Sequence, residues 1–135
     1  MTTSALILIV DDNPTNQLLA AHVLKHAGFS VLAAESAAQT LEVLKTVKPD
    51  LILMDIQMPE MDGLTLTRLL KSDPAYQNIP IVALTACAMK GDEEKAYAAG
   101  CDGYIAKPID SRKLAQQIAE LLPHHTPKPT QLPTP

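Results

Sequence analysis

Ala5-Leu6-Ile7-Leu8-Ile9-Val10-Asp11-Asp12 runs six apolar residues straight into two carboxylates. A short unbroken apolar run reads as a strand buried on both faces, and such strands belong to parallel sheets covered by helices on each side. Asn13-Pro14 follows and starts a helix, with proline at its first position and Gly28 at its stop. The pattern then repeats. Phe29 to Ala33 reads as a second strand, and Ser36 with Gln39 three residues on makes a capping box for a helix to about Val47. Leu51 to Met54 is a third apolar run and again ends in an aspartate, Asp55. Leu64 to Lys71 reads as a helix broken by Asp73-Pro74, and Ile79 to Leu84 as a strand ending in Thr85. Lys90 to Ala99 reads as a helix stopped by Gly100, and Tyr104 to Ala106 as a short fifth strand before Lys107-Pro108. A last helix is expected from about Ser111 to Leu122, with Leu114, Ile118 and Leu121 facing a core. Five such units imply an α/β fold: a doubly wound, five-stranded parallel sheet with helices on both faces.

Composition bounds the rest. The 135 residues are 47% hydrophobic, enough for one domain with an ordinary core, expected over residues 1–122. In residues 123–135, five of thirteen positions are proline and apolar periodicity stops, so this tail is expected to be disordered or polyproline-like. No apolar run reaches the roughly 18–20 residues of a membrane span and Met1 to Ser4 carry no basic leader, which points to a cytoplasmic protein with no membrane partner. Eleven basic against fifteen acidic residues, with no basic stripe, argue against nucleic acid. Cys87 and Cys101 are too few for a disulfide framework and read as small semi-buried thiols.

The informative feature is where the polar residues fall. In open parallel sheets, ligands bind at the carboxyl ends of the strands, where strand order reverses. Asp11 and Asp12 follow the first strand, Asp55 the third, Thr85 the fourth and Lys107 the fifth. Turn chemistry accounts for one such aspartate, but not for three carboxylates, a hydroxyl and a lysine at the same end of successive strands. Clustered carboxylates repel one another, and a hard divalent cation with oxygen ligands, Mg2+, suits a half-open acidic cluster. With Lys107 as a second positive charge and Thr85 as a hydroxyl donor, the set suits phosphoryl transfer to Asp55 as nucleophile.

Asp11-Asp12, Asp55-Ile56-Gln57-Met58-Pro59, Asp62-Gly63, Thr85-Ala86 and Lys107-Pro108 together resemble the motifs of the response-regulator receiver family, over about residues 5 to 122. The resemblance implies the flavodoxin-like strand order 2-1-3-4-5. It implies Asp55 as phosphoacceptor, and Asp12, Asp55 and the backbone carbonyl of Gln57 as direct Mg2+ ligands, with Asp11 acting mostly through water. It further implies that Lys107 pairs with the phosphoryl group ahead of a cis bond to Pro108, and that Thr85 and Tyr104 form the switch. Gln57 and Cys87 stand at the family's variable positions beside the site. The stretch Ala88 to Glu94, with Gly100-Cys101 and Tyr104-Ile105, is similar to DivK-type single-domain regulators and to receivers within hybrid histidine kinases. The implied partners are a sensor histidine kinase or a histidine phosphotransfer protein, and a downstream protein at the face of helix 4, strand 5 and helix 5. The implied state is a monomer or weak dimer. A switch of this kind is not an enzyme in the ordinary sense, since it catalyses only its own aspartyl phosphorylation and dephosphorylation. The alternative is a relay intermediate that passes the phosphoryl group on to a histidine phosphotransfer protein.

Rival readings fit less well. A haloacid-dehalogenase-type phosphatase needs an aspartate two residues after its nucleophile, where this chain has Gln57. A flavodoxin-like cofactor binder would not place Asp11 and Asp12 against a flavin phosphate. His22 and His26 lie one helical turn apart without the glutamate of a zinc-protease motif, and are expected on an exposed face. His124-His125, in the proline-rich tail, make a poor metal site.

Overall fold

The computed structural model describes residues 5–56, 63–85, 90–106 and 113–122, with the backbone alone for 90–92. Its elements alternate strictly: β1 (Leu6–Val10), α1 (Pro14–His26), β2 (Ser30–Ala34), α2 (Ala37–Thr46), β3 (Leu51–Asp55), α3 (Gly63–Lys71), β4 (Ile81–Thr85), α4 (Lys90–Ala99), β5 (Gly103–Ala106) and α5 (Leu114–Leu121). The five strands form one parallel sheet in the order β2-β1-β3-β4-β5, as expected. The start of the last helix was expected at about Ser111, which falls outside the described residues.

Apolar runs become central strands because successive side chains enter different cores. Ile52 and Met54 join Leu8, Val10, Leu66 and Leu70 in one buried cluster. Leu51 and Leu53 join Ile7, Ile9, Leu24 and Ile118 in another on the opposite face. β3 and β4 are buried at every position. β2 and β5 are the edge strands, and in β2 only Ala34 is fully buried.

Local signals set the boundaries. The Asn13 side chain accepts from the backbone N–H of Thr15 and Asn16, which starts α1 with Pro14 at its first position. α1 ends in a Schellman motif: Gly28, at φ 101°, donates to the Lys25 carbonyl, and Phe29 donates to the Leu24 carbonyl. That second bond ties Phe29 to the helix end, so β2 begins one residue later than its apolar run suggests. The Ser36 hydroxyl caps α2 by accepting from Gln39 N–H at 3.1 Å. The returning Gln39 carbonyl reaches Glu35 N–H, at 2.8 Å, and not the Ser36 N–H of a regular capping box.

The amino-terminal rim of the sheet is tied by side chains. Asp50 accepts from Leu6 N–H at 2.7 Å, while its own N–H donates to the Leu6 carbonyl. The Lys71 ammonium, at the end of α3, donates to the carbonyls of Gln77 and Ile79 and pairs with Asp102 at 2.9 Å. Asp102 in turn accepts from Ile81 N–H. Among the described residues, no helix is long and apolar enough to cross a membrane.

Candidate metal centre

The chain leaves β1 outward to β2, then crosses back over β1 to β3, so strand order reverses between β1 and β3. A crevice opens at the carboxyl ends of strands flanking such a reversal. Asp11 and Asp12 follow β1 there, and Asp55 is the last residue of β3. One carboxylate oxygen from each of the three lies within 4.8 Å of the others.

Each carboxylate is placed by its own local structure. Asp11 is 1% exposed and Asp55 3%, whereas Asp12 is open to solvent. Asp11 N–H donates to the Ala34 carbonyl at 3.0 Å, so β2 fixes the point where β1 ends. Asn13 N–H donates to Asp11 Oδ1 at 2.9 Å and folds the turn that delivers Asp12. Behind Asp55, Ile56 N–H reaches the Leu84 carbonyl of β4, and Gly63 N–H reaches the Ile56 carbonyl. The start of α3 is thereby drawn against the end of β3.

Three ionised carboxylates so close, two of them withdrawn from water, repel one another, and a cation relieves that repulsion. Their donor set is all oxygen and one side stays open, which fits a hard ion that retains water, such as Mg2+, better than a soft metal. The residues present therefore fit a metal ion.

Thr85, fully buried, is the last residue of β4. Its Cα partner on β5 is Ala106, while Tyr104 partners Ala83. Thr85 and Tyr104 therefore share one face of the sheet, diagonally across neighbouring strands, and half-buried Tyr104 packs on the core cluster containing Ala83 and Ala96. Gln57 and Lys107, the other two expected site residues, lie outside the described residues, as do Cys87, Pro108 and His124-His125. His22 and His26 are exposed as expected, with their rings stacked 6.4 Å apart.

One residue beside the cluster went unmarked in the sequence. Gln17, one turn into α1, donates from Nε2 to the Asp11 carbonyl at 2.6 Å and to the Ala34 carbonyl at 2.9 Å. No short motif announces such an amide, since its two partners, just past β1 and at the end of β2, are far apart in sequence.

A five-stranded parallel sheet with an acidic cluster at its reversal point defines a class: doubly wound α/β proteins whose ligand site lies at the carboxyl ends of the strands. The response regulator receiver domain model matches residues 7–119, and the chain belongs to that family. The family is one of signalling switches and not of conventional enzymes. The chain is 40% identical over 116 residues to the polar-differentiation response regulator DivK of Brucella ovis, covering 86% of this chain and 94% of that one. The chemotaxis protein CheY4 of Vibrio cholerae superposes with a TM-score of 0.84 at 26% identity, covering 89% of this chain and all of the other. The receiver domain of a Pseudomonas aeruginosa sensor histidine kinase has a TM-score of 0.80 at 33% identity, covering 88% of this chain and 98% of its own. That structure has a magnesium ion coordinated in its active site cleft.

Proposed function

We propose that this chain is a phosphorylation-driven switch in which Asp55 accepts a phosphoryl group, with Mg2+, from a sensor histidine kinase or a histidine phosphotransfer protein. The observation that carries the reading is the meeting of the adjacent Asp11 and Asp12 with Asp55, far from them in sequence, within 4.8 Å at the sheet's reversal point. Asp12, Asp55 and the Gln57 carbonyl would hold the cation directly, with Asp11 acting mostly through water. When bound, the cation offsets carboxylate repulsion and charge on the phosphoryl oxygens.

Asp55 attacks phosphorus through one carboxylate oxygen. A P–O bond forms as the P–N bond to the donor imidazole breaks, and the bonding pair leaves with that nitrogen. Lys107 supplies a positive charge to the phosphoryl oxygens, and Thr85 donates its hydroxyl hydrogen to one of them. Hydrolysis of the acyl phosphate by water returns the Asp55 carboxylate and inorganic phosphate. Phosphorylation adds roughly −1.5 to −2 charges and three acceptor oxygens at the site. Thr85 moves toward the new acceptor and Tyr104 moves inward into the space released, reshaping the face of α4, β5 and α5. A downstream protein reads that face. A cleft of about 220 Å³ between Tyr97, Tyr104, Gln117, Glu120 and Leu121 supports the assignment. We place this monomer or weak dimer in the cytoplasm.

The test is to incubate the chain with MgCl2 and a small-molecule acyl phosphate and to map the mass gain. A single modification on Asp55 is expected, absent from Asp55→Ala and lost on chelation. Modification elsewhere, or none in a folded sample, removes the mechanism.

A further inference from the structure

We infer that Gln17 is a positioning residue for the metal centre: its amide clamps the backbone from which Asp11 and Asp12 project. This rests on the reading that the acidic cluster holds Mg2+. The Asp11 peptide is held on both sides. Its N–H donates to the Ala34 carbonyl at 3.0 Å, and its carbonyl accepts from Gln17 Nε2 at 2.6 Å. The same nitrogen donates to the Ala34 carbonyl at 2.9 Å, so a single NH2 closes the gap between the ends of β1 and β2. Because both partners are carbonyl oxygens, only the nitrogen of the amide can face them, and its orientation is settled by chemistry.

Gln17 is itself fixed. Its N–H donates to the Asn13 carbonyl in the first turn of α1, and the Asn13 side chain caps that turn. The loop from Asp11 to Asn13 is thus closed at both ends by one helix. Carboxylates that must meet a cation at a defined separation lose affinity when the backbone beneath them is free to move. A neutral amide suits this place, since it offers two hydrogens without adding a positive charge that would compete with the cation.

Isothermal titration of the full chain with MgCl2 tests the role. Gln17→Met keeps the length and removes the donor, and is expected to bind Mg2+ about tenfold more weakly, the lower end of the loss typical for groups that orient metal ligands. Gln17→Glu gives the discriminating sign. Its added negative charge alone would tighten cation binding, whereas loss of the clamp weakens it, and weaker binding is expected. Lys71→Met, which removes side-chain ties at the opposite rim, lowers thermal stability and leaves Mg2+ affinity unchanged. If Gln17→Met binds like wild type, or Gln17→Glu binds more tightly, the positioning role is overturned while the metal centre stands. If wild type itself takes up no Mg2+, the metal centre fails and the inference with it.

Discussion

Gly63 abuts Asp55 so closely that any side chain there would collide with it: a Cβ on Gly63 would sit 2.5 Å from the Asp55 carbonyl oxygen and 2.7 Å from Ile56 Cα. Both atoms are backbone, so neither can rotate away. Gly63→Ala must push α3 off the end of β3, and overpacking of this kind costs about 1–3 kcal/mol. Urea unfolding should show that loss. Acyl-phosphate labelling of Asp55 should slow as well, since the displaced backbone carries the nucleophile.

Charge removal at the cluster should act in the opposite direction. Asp55 is buried within 4.8 Å of two other carboxylates. Without a divalent cation, Asp55→Asn is expected to stabilise the fold by about 1–3 kcal/mol at neutral pH, the scale of like-charge repulsion at this range. Millimolar MgCl2 should raise the melting temperature of wild type and have little effect on the variant. Equal magnesium responses from the two proteins would contradict a shared cation.

Lys71 gives a prediction free of the metal. Its ammonium serves two carbonyls and Asp102. Lys71→Met strands those acceptors at a partly buried junction, and a loss of about 1–2 kcal/mol is expected by chemical denaturation. The ion-pair share of this is small, because Asp102 is 44% exposed. High salt should therefore change the difference little.

Cys101 should be inert in the folded protein. It is buried, and burial is the main cause raising its thiol above the ordinary range, partly offset by a hydrogen bond with Thr67. Thiol reagents should modify it only as the fold opens. A thiol held protonated contributes stability that is complete below its ordinary value and is lost as pH rises toward the raised one. Cys101→Ala should therefore unfold with a shallower alkaline loss of stability than wild type.

Much of this was legible in the residues, for definite reasons. Ile7 to Val10 and Leu51 to Met54 are unbroken because both faces of their strands meet a helix layer, and the carboxylates after them fall at the rim where ligands collect. Strand order was a different matter: apolar period marks a strand but not its neighbours, so 2-1-3-4-5 came with the family likeness. Phe29 read as strand because its apolar character outweighed a helix-end bond that only three dimensions reveal. Gln39 carried a capping-box signal, yet its carbonyl reaches one residue past Ser36, to the Glu35 N–H. Gln17 and Lys71 carry no local signature at all, since each joins carbonyls brought together by the sheet.

The ties made by Asp50 and Lys71 all lie at the strands' entry ends, far from the acidic cluster. Along that border the start of β1 is bound to the start of β3, and the end of α3 to the starts of β4 and β5, by side chains that take no part in the chemistry of the carboxylates. An event among the carboxylates touches none of these anchors, so the entry border can hold strand register while the acidic border answers to its ligand.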